Sequence, residues 1–441
     1  MIIKAKTSIT KHNYNILRVI PDWTNFFEAN ADKLNSDCAV MAQGGTIDSI
    51  ENKSGKLVPI SHPVTITKTV DLNSAEIFNL FNNNREKFKT LGALYPWSAP
   101  ISNFVPWAGL SLGQSARISS FDSGQEEERH FCASTFFDDQ ILKNKNNLIK
   151  SQGTDSLVEK ATLETVIFSH HFVSSDKKLI FSGAATPATF EHSDAVTNIK
   201  IALYAALEES LPSGVYIISP MITREGITTQ ILPALGSVKL HSDGYFHAPN
   251  SGPILTVHNG TVYIHPLYHD LHERYRYFRL LPDLTKIYLK NEAGIVRLQK
   301  ALERVSLETI KNPARILDHH YRDGMRAFVV QARGAGNAPL EWKKKVKEII
   351  AKGDTTVIVI TLADSGDVDL KKYAAGLDIA GVLSGRALRE DAAWILAGII
   401  HDLKMHNQLT MDPQKLIELY CYLSGMIVLP PGELESLARN K

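Results

Sequence analysis

Two short stretches carry hydroxyl groups at glycine turns. "CAVMAQGGTIDS" runs from small apolar residues into Gly44-Gly45 and then Thr46, and "NLIKSQGTDSL" runs into Gly153, Thr154 and Asp155. A hydroxyl beside glycine has backbone on both sides that a ligand can approach closely. The glycine N–H groups are suited to holding a developing oxyanion. Together these features suit nucleophilic attack on a carbonyl by Thr46. Thr154 would supply a second hydroxyl, and Asp155 a carboxylate able to bind a substrate ammonium. Each stretch also has a purely structural explanation. A threonine after a glycine turn is an ordinary loop residue. Ser, Thr and Asp ahead of a helix, with Glu159 following, have the look of a capping box.

Other patterns carry less chemistry. "QGGTIDS" lacks the Gly-Lys-Ser/Thr ending of a phosphate-binding loop. "RGAGNAP" (Arg333 to Pro339) has G-x-G without a third glycine, and its Asn and Pro read as the start of the next helix. His265, His269 and His272 have a helix-like spacing that a metal site uses, but no convincing carboxylate or cysteine partner is apparent from the sequence. The pairs His170-His171 and His319-His320 are adjacent, so the members of each pair point in different directions.

The elements that would position Thr46 and Thr154 are those of a parallel α/β sheet. "CAVMA" (Cys38 to Ala42), "KLIFSGA" (Lys178 to Ala184) and "GVYIIS" (Gly214 to Ser219) read as buried strands. Helices are expected at Ser74 to Phe81 behind the cap Asn73, at Ala161 to Phe172, and at Ser193 to Leu211, where apolar residues recur at 196, 199, 203 and 206. A second strand–helix–strand unit follows: "RAFVVQA", "LEWKKKVKEIIAKG" and "TTVIVIT", then a helix at Arg389 to Leu403. Residues 92–135, which mix Pro, Gly, Ser and aromatics without period, read as an inserted loop or flap, and 220–284 as loop-like. The expected organisation is a leading segment at 1–36, an α/β domain at 37–235, a linker at 236–284, a smaller α/β domain at 285–405 and a helical tail at 406–441. In open parallel sheets ligands bind beyond the carboxyl ends of the strands, and Thr46 falls just past such an end.

Totals narrow the function classes. The chain has 441 residues, more than one ordinary core accommodates. Lys+Arg 48 against Asp+Glu 47 leaves a formal charge of +1, which points away from nucleic acid and membrane surfaces. The three cysteines, Cys38, Cys132 and Cys421, are dispersed and fit a reducing compartment. The N-terminus lacks the apolar core of a signal peptide, and no uncharged apolar run is long enough to span a bilayer, so a cytoplasmic protein is expected.

In order along the chain, the motifs resemble those of the bacterial-type L-asparaginase family. "GGTIDS" is similar to the family's Gly-Gly-Thr-Ile signature and "QGTDSL" to its His-Gly-Thr-Asp-Thr-Leu. "FSGAATPATFEHSDAVTNIKIAL" resembles the Thr-Gly-Ala-Met-Arg-Pro segment and the helix after it, with Asp194 and Asn198 keeping the spacing. "ARGAGNAP", "DSGDVDLKKYAAG" and "GVLSGRALREDAAWIL" resemble three motifs of the family's second domain, and the match runs from about 38 to 403.

This resemblance implies a two-domain α/β fold, a homodimer or homotetramer, no cofactor, and hydrolysis of a small side-chain amide. Carried over, Thr46 is the nucleophile, and Thr154 and Asp155 belong to the proton-transfer group. Substrate contacts fall on Gly45, Thr69, Asp71 and Gly153, and on Gln230 at the position of the family's catalytic lysine. The departures are specific. Val70 cannot hydrogen-bond a carboxylate through its side chain. The loop after Thr46 has no tyrosine, Gln152 replaces the signature histidine, and a glutamine at 230 neither accepts nor delivers a proton at neutral pH. Lys239 and Lys68 are the alternative sources of an amine. Two functions therefore stand against each other. One is an amidohydrolase acting on asparagine or a related amide. The other is a catalytically silent protein that binds a ligand or partner.

Overall fold

The computed structural model describes residues 15–42, 49–51, 57–59, 146–152, 157–173, 176–184, 193–223, 226–239, 245–290, 292–430 and 432–434, together with Thr135, Asp138, Asp139, Leu142 and Thr186. The helix expected at 74–81, nearly all of the 92–135 insertion, Cys132 and, apart from 49–51 and 57–59, the loop after Thr46 lie outside the described residues.

The chain begins with strand β1 (Ile16–Val19) and the short helices α1 (Trp23–Glu28) and α2 (Ala31–Asp37). These give structure to part of the leading segment. Trp23 stacks on Phe27 with ring centroids 5.7 Å apart and meets Tyr204 edge-on at 6.1 Å, which seats α1 on the core. Strand β2 (Cys38–Ala42) follows, then the small hairpin of β3 (Ser49–Glu51) and β4 (Leu57–Pro59), then β5 (Asn147–Gln152). Helix α3 (Leu157–Phe168), strand β6 (Lys178–Gly183), helix α4 (Ala195–Leu207) and the antiparallel strands β7 (Gly214–Thr223) and β8 (Gly226–Pro233) come next. The stretch read as loop and linker, 220–284, is built instead of the end of β7, all of β8, the two-stranded pair β9 (Val238–Lys239) and β10 (Phe246–His247), β11 (Leu255–His258), β12 (Thr261–Ile264) and helix α5 (Pro266–Tyr275). β9 to β12 are two to four residues each, and β11 and β12 mix buried with half-exposed residues, so they present no long apolar run.

Eight strands form one sheet in the order β1-β12-β11-β8-β7-β6-β5-β2. The pairs β2–β5, β5–β6 and β6–β7 are parallel, and the other pairings are antiparallel, so the sheet is mixed. Side chains alternate across it as the pleat requires. Leu148, Phe181, Ile217 and Leu232 pack against α3 on one face, and Ile149, Ile180, Tyr216 and Ile231 against α4 on the other.

Beyond α6 (Leu284–Tyr288) and α7 (Glu292–Glu303), a second sheet forms from β13 (Val305–Thr309), β14 (Ala327–Ala332), β15 (Thr356–Thr361) and β16 (Val382–Ser384), all parallel. Helices α8 (Ile316–Arg322), α9 (Leu340–Ile350) and α10 (Glu390–Met405) cover it. The helical tail is α11 (Pro413–Leu423), capped by Asp412, whose carboxylate accepts from the N–H groups of Gln414 and Lys415. The expected two-part α/β architecture is therefore present: a larger mixed sheet first and a separate parallel sheet second. One continuous core joins them, because α3 is buried along its length between the first sheet and α10. Asn250 adds a polar tie, donating to the Ala387 carbonyl at 2.9 Å and accepting from the Gly366 N–H at 2.9 Å.

Candidate active site

The parallel strands β2 and β5 lie side by side, with Ala42 opposite Ser151. Their carboxyl ends leave the sheet at one level, about 4.8 Å apart. Thr46 follows β2 by four residues and Thr154 follows β5 by two. Thr46, Gly45, Thr69, Asp71, Gly153, Thr154 and Asp155 all lie outside the described residues. The strand ends that launch the two signatures are described, and they are neighbours.

The next strand end is tied down by the Asp–Asn pair noted in the sequence. Asn198 donates to the Gly183 carbonyl at 2.8 Å and to the Asp194 carboxylate at 3.0 Å, and Asp194 accepts from the Thr186 N–H at 3.1 Å. Ser193 donates to the Thr186 carbonyl at 2.9 Å. The i, i+4 spacing puts Asp194 and Asn198 on one face at the start of α4. There they satisfy backbone groups that the end of β6 would otherwise leave unpaired.

Gln230, at the expected lysine position, sits in β8 between Ser219 of β7 and Thr256 of β11. It is 5% exposed, and its Oε1 has no hydrogen-bond partner among the described residues. The pairing of Gln152 with Gly183, and of Ser219 with Gln230, puts Gln230 on the same level of the sheet as the end of β5. Its neighbours are occupied: Ser219 accepts from the Phe246 N–H at 2.9 Å, and the Thr256 hydroxyl lies 2.6 Å from His265 Nε2. Burial pushes the His265 imidazole down to about 4, so it is neutral at pH 7. Lys239, one alternative amine, lies in the β9–β10 pair, and Lys68 lies outside the described residues.

The histidine trio does not converge. His265 meets Thr256, and His272 Nε2 lies 3.0 Å from the Ser210 carbonyl. Among the described residues no group of three His, Cys, Asp or Glu side chains is placed to hold a metal ion. "RGAGNAP" is a turn. Gly334 and Gly336 have φ of +50° and +107°, Arg333 and Asn337 exchange backbone hydrogen bonds, and Pro339 is the N-cap of α9.

The sequence reading missed a buried ionic network beneath the end of β5. Lys150 of β5 and Lys160 and Glu164 of α3 are joined by Asp138, and none of the four side chains is more than 1% exposed. Lys150 Nζ lies 2.6 Å from Asp138 and 2.8 Å from Glu164, and Lys160 Nζ lies 2.8 Å from Glu164 and donates to the Thr135 hydroxyl. Burial raises the Asp138 carboxyl well above the ordinary range, and the neighbouring Glu164 charge adds to this. Burial opposes ionisation of Glu164 too, but the two ammonium groups outweigh it and hold Glu164 at about 2. Asp138 Oδ1 and Glu164 Oε2 have no other donor among the described residues, and a hydrogen bond joins the two carboxyl groups, so a proton on Asp138 satisfies both. The clue in the sequence was a lysine inside an otherwise apolar central strand, "NLIK", followed by Lys160 and Glu164 one turn apart on a buried helix.

A mixed sheet with neighbouring parallel strands β2 and β5, followed by a smaller parallel α/β unit, defines a two-domain α/β architecture, and in such open sheets ligands bind beyond the carboxyl ends of the strands. The family models agree. Residues 37–267 match "Asparaginase, N-terminal" and residues 310–408 match "Glutaminase/Asparaginase C-terminal domain". The chain belongs to the asparaginase family. Similar solved structures include a probable cytoplasmic L-asparaginase from Campylobacter jejuni (TM-score 0.58, 19% identity, covering 87% of this chain and 99% of that one). Another is the thermostable L-asparaginase from Thermococcus kodakarensis (TM-score 0.56, 16% identity, covering 89% and 100%). At these identities the likeness is one of fold. No curated protein matches the sequence.

Proposed function

We propose that the chain is an amidohydrolase that opens the side-chain amide of asparagine or a related small amide. Thr46 would attack the amide carbon, ammonia would leave, and water would release the acid from the acyl-enzyme. Thr154 and Asp155 would move the proton. The N–H groups around Gly45 would hold the oxyanion, and Thr69, Asp71 and Gly153 would contact the substrate. The observation that carries this reading is the in-register pairing of β2 with β5, from whose adjacent ends the two threonine signatures depart. The reading includes a cytoplasmic location and assembly as a homodimer or homotetramer, with no cofactor, nucleic acid or membrane as partner.

One observation favours a second function. Gln230 stands where a proton-carrying lysine is expected and has an unpartnered amide oxygen, which suits binding an N–H donor better than moving a proton. In that case the chain is a silent relative that holds an amide or amino acid. Ammonia release from asparagine, glutamine and a panel of small amides, with Thr46→Ala as control, decides between them. Release that disappears in the control supports the hydrolase. Saturable ligand binding without any release supports the silent relative.

A further inference from the structure

The interface between a central strand and a covering helix is ordinarily apolar, and here Lys150, Lys160, Asp138 and Glu164 interrupt it. Two lysines and two carboxyl groups, all taken out of water, make a poor device for stability, because apolar residues of similar volume serve that purpose as well or better. Their placement suggests another use. Lys150 belongs to β5 and Glu164 to α3, and the 2.8 Å bond between them closes those two elements on each other. The chain between β5 and α3 is Gly153 to Ser156, which is the segment carrying Thr154 and Asp155. Lys150 also stands over the Phe181 ring at 5.1 Å, tying the same point to β6. Lys160 holds Glu164 from the helix side, and Asp138 bridges both lysines.

We propose that Lys150, Glu164, Lys160 and Asp138 form a buried clamp that fixes the relative position of β5 and α3 and so positions the Thr154–Asp155 connection. These are positioning residues, and the idea rests on the proposed function for its catalytic consequence alone. With one proton on Asp138, both lysines face the Glu164 charge; burial disfavours the ionisation of each lysine and the neighbouring carboxyl groups favour it. A clamp of directed hydrogen bonds defines one geometry. An apolar interface of equal volume permits small sliding of helix over sheet, and a misplacement of about 1 Å costs roughly a hundredfold in rate.

The test replaces the whole network with apolar residues, as Lys150→Met, Lys160→Met, Asp138→Leu and Glu164→Leu together, which leaves no unpaired charge. Two quantities are read: hydrogen exchange at amides 153–157, and kcat and KM for the amide found active. The expected result is a folded variant with a melting temperature at or above the parent's. Its exchange at 153–157 is faster by tenfold or more, and its kcat is lower by ten- to a hundredfold with KM less affected. Parental exchange and parental kcat in a folded variant overturn the clamp, because a network that merely fills space moves neither. Should the fourfold variant not fold, Glu164→Gln keeps the volume and removes the charge that both lysines share, and the same two readings decide. If the parent hydrolyses no amide, the proposed function fails, while the exchange measurement still decides the clamp.

Discussion

Removing Lys150 alone should be costly, and the structure says by how much. Its Nζ lies 2.6 Å from Asp138 and 2.8 Å from Glu164, with all three side chains at 0% exposure. Lys150→Met keeps the stem and loses the charge. Removing one partner of a buried ion pair costs roughly 3–5 kcal/mol, because the remaining charge has neither water nor counter-ion. Two features place this case at the lower end. Lys160 still lies 2.8 Å from Glu164 and keeps part of its charge compensated. Asp138, whose carboxyl already favours the protonated form, is left as a neutral acid rather than a stranded anion. The expected loss is therefore about 3 kcal/mol. Urea unfolding followed by two probes measures it, since two domains need not unfold in one step. The fourfold apolar variant should show no such loss. A Lys150→Met loss below about 1 kcal/mol would refute the reasoning, for it would mean that Glu164 is not ionised in the core.

Two further outcomes are expected. Gln230→Lys should raise the kcat of a hydrolase by tenfold or more, toward the ~10²–10⁴ that a placed proton carrier supplies. The position is 5% exposed, so burial would favour the free amine. An unchanged rate in a folded variant would remove Gln230 from the proton path. The second concerns His401. Burial, aided by Lys404 and Arg304, holds its imidazole at about 4 against 6.5 in the unfolded chain. Between these values the unfolded state binds the extra proton, so stability is full above pH 6.5 and falls as the pH drops toward 4. By pH 5 the loss is about 1–2 kcal/mol. His401→Leu should flatten that part of the stability–pH curve. Its Nδ1 has no hydrogen-bond partner to lose, and an unchanged slope would assign the acid sensitivity to other groups.

The sequence made the buried parallel elements legible and the half-buried antiparallel ones not. "KLIFSG" and "TVIVIT" are wholly buried strands, and continuous apolar runs announce that state. β11 and β12 are four residues each, with two of four residues part-exposed in β11 and three of four in β12, and they lie among Gly, Pro and Asn turns. Only their pairing with β8 and with β1 makes them strands. Helix α1 was hidden for a similar reason: it has six residues and is held by the ring contacts of Trp23, Phe26 and Phe27. Beside the candidate site, Asp194 and Asn198 stood out through the resemblance to the family's motif, and their hydrogen bonds to the end of β6 explain the spacing. Lys150 was visible as a letter and silent as a signal, because its meaning depends on Glu164 and Asp138, which no local period connects to it.

On the proposed function, Gln230 at the expected lysine position and the burial of Lys150 and Lys160 bear on one question: where a proton would go if Thr46 attacked. In β8 the chain presents a group that cannot titrate, part-way across the sheet from β5. Under β5 itself it holds two amines and two carboxyl groups, all buried. A hydrolase built this way would draw its precision from the fixed geometry of the Thr154–Asp155 connection and take its proton acceptor from Asp155 or bulk water. Its rate would then be limited by proton removal. Restoring a lysine at 230 should help such an enzyme more than any change to the clamp, whereas loosening the clamp should harm it whether or not the lysine is restored. Combining Gln230→Lys with Glu164→Gln tests this ordering. If positioning and proton transfer are separate contributions, the two effects add on the free-energy scale within about 0.5 kcal/mol. Strong non-additivity would mean that the buried network is itself part of the proton path.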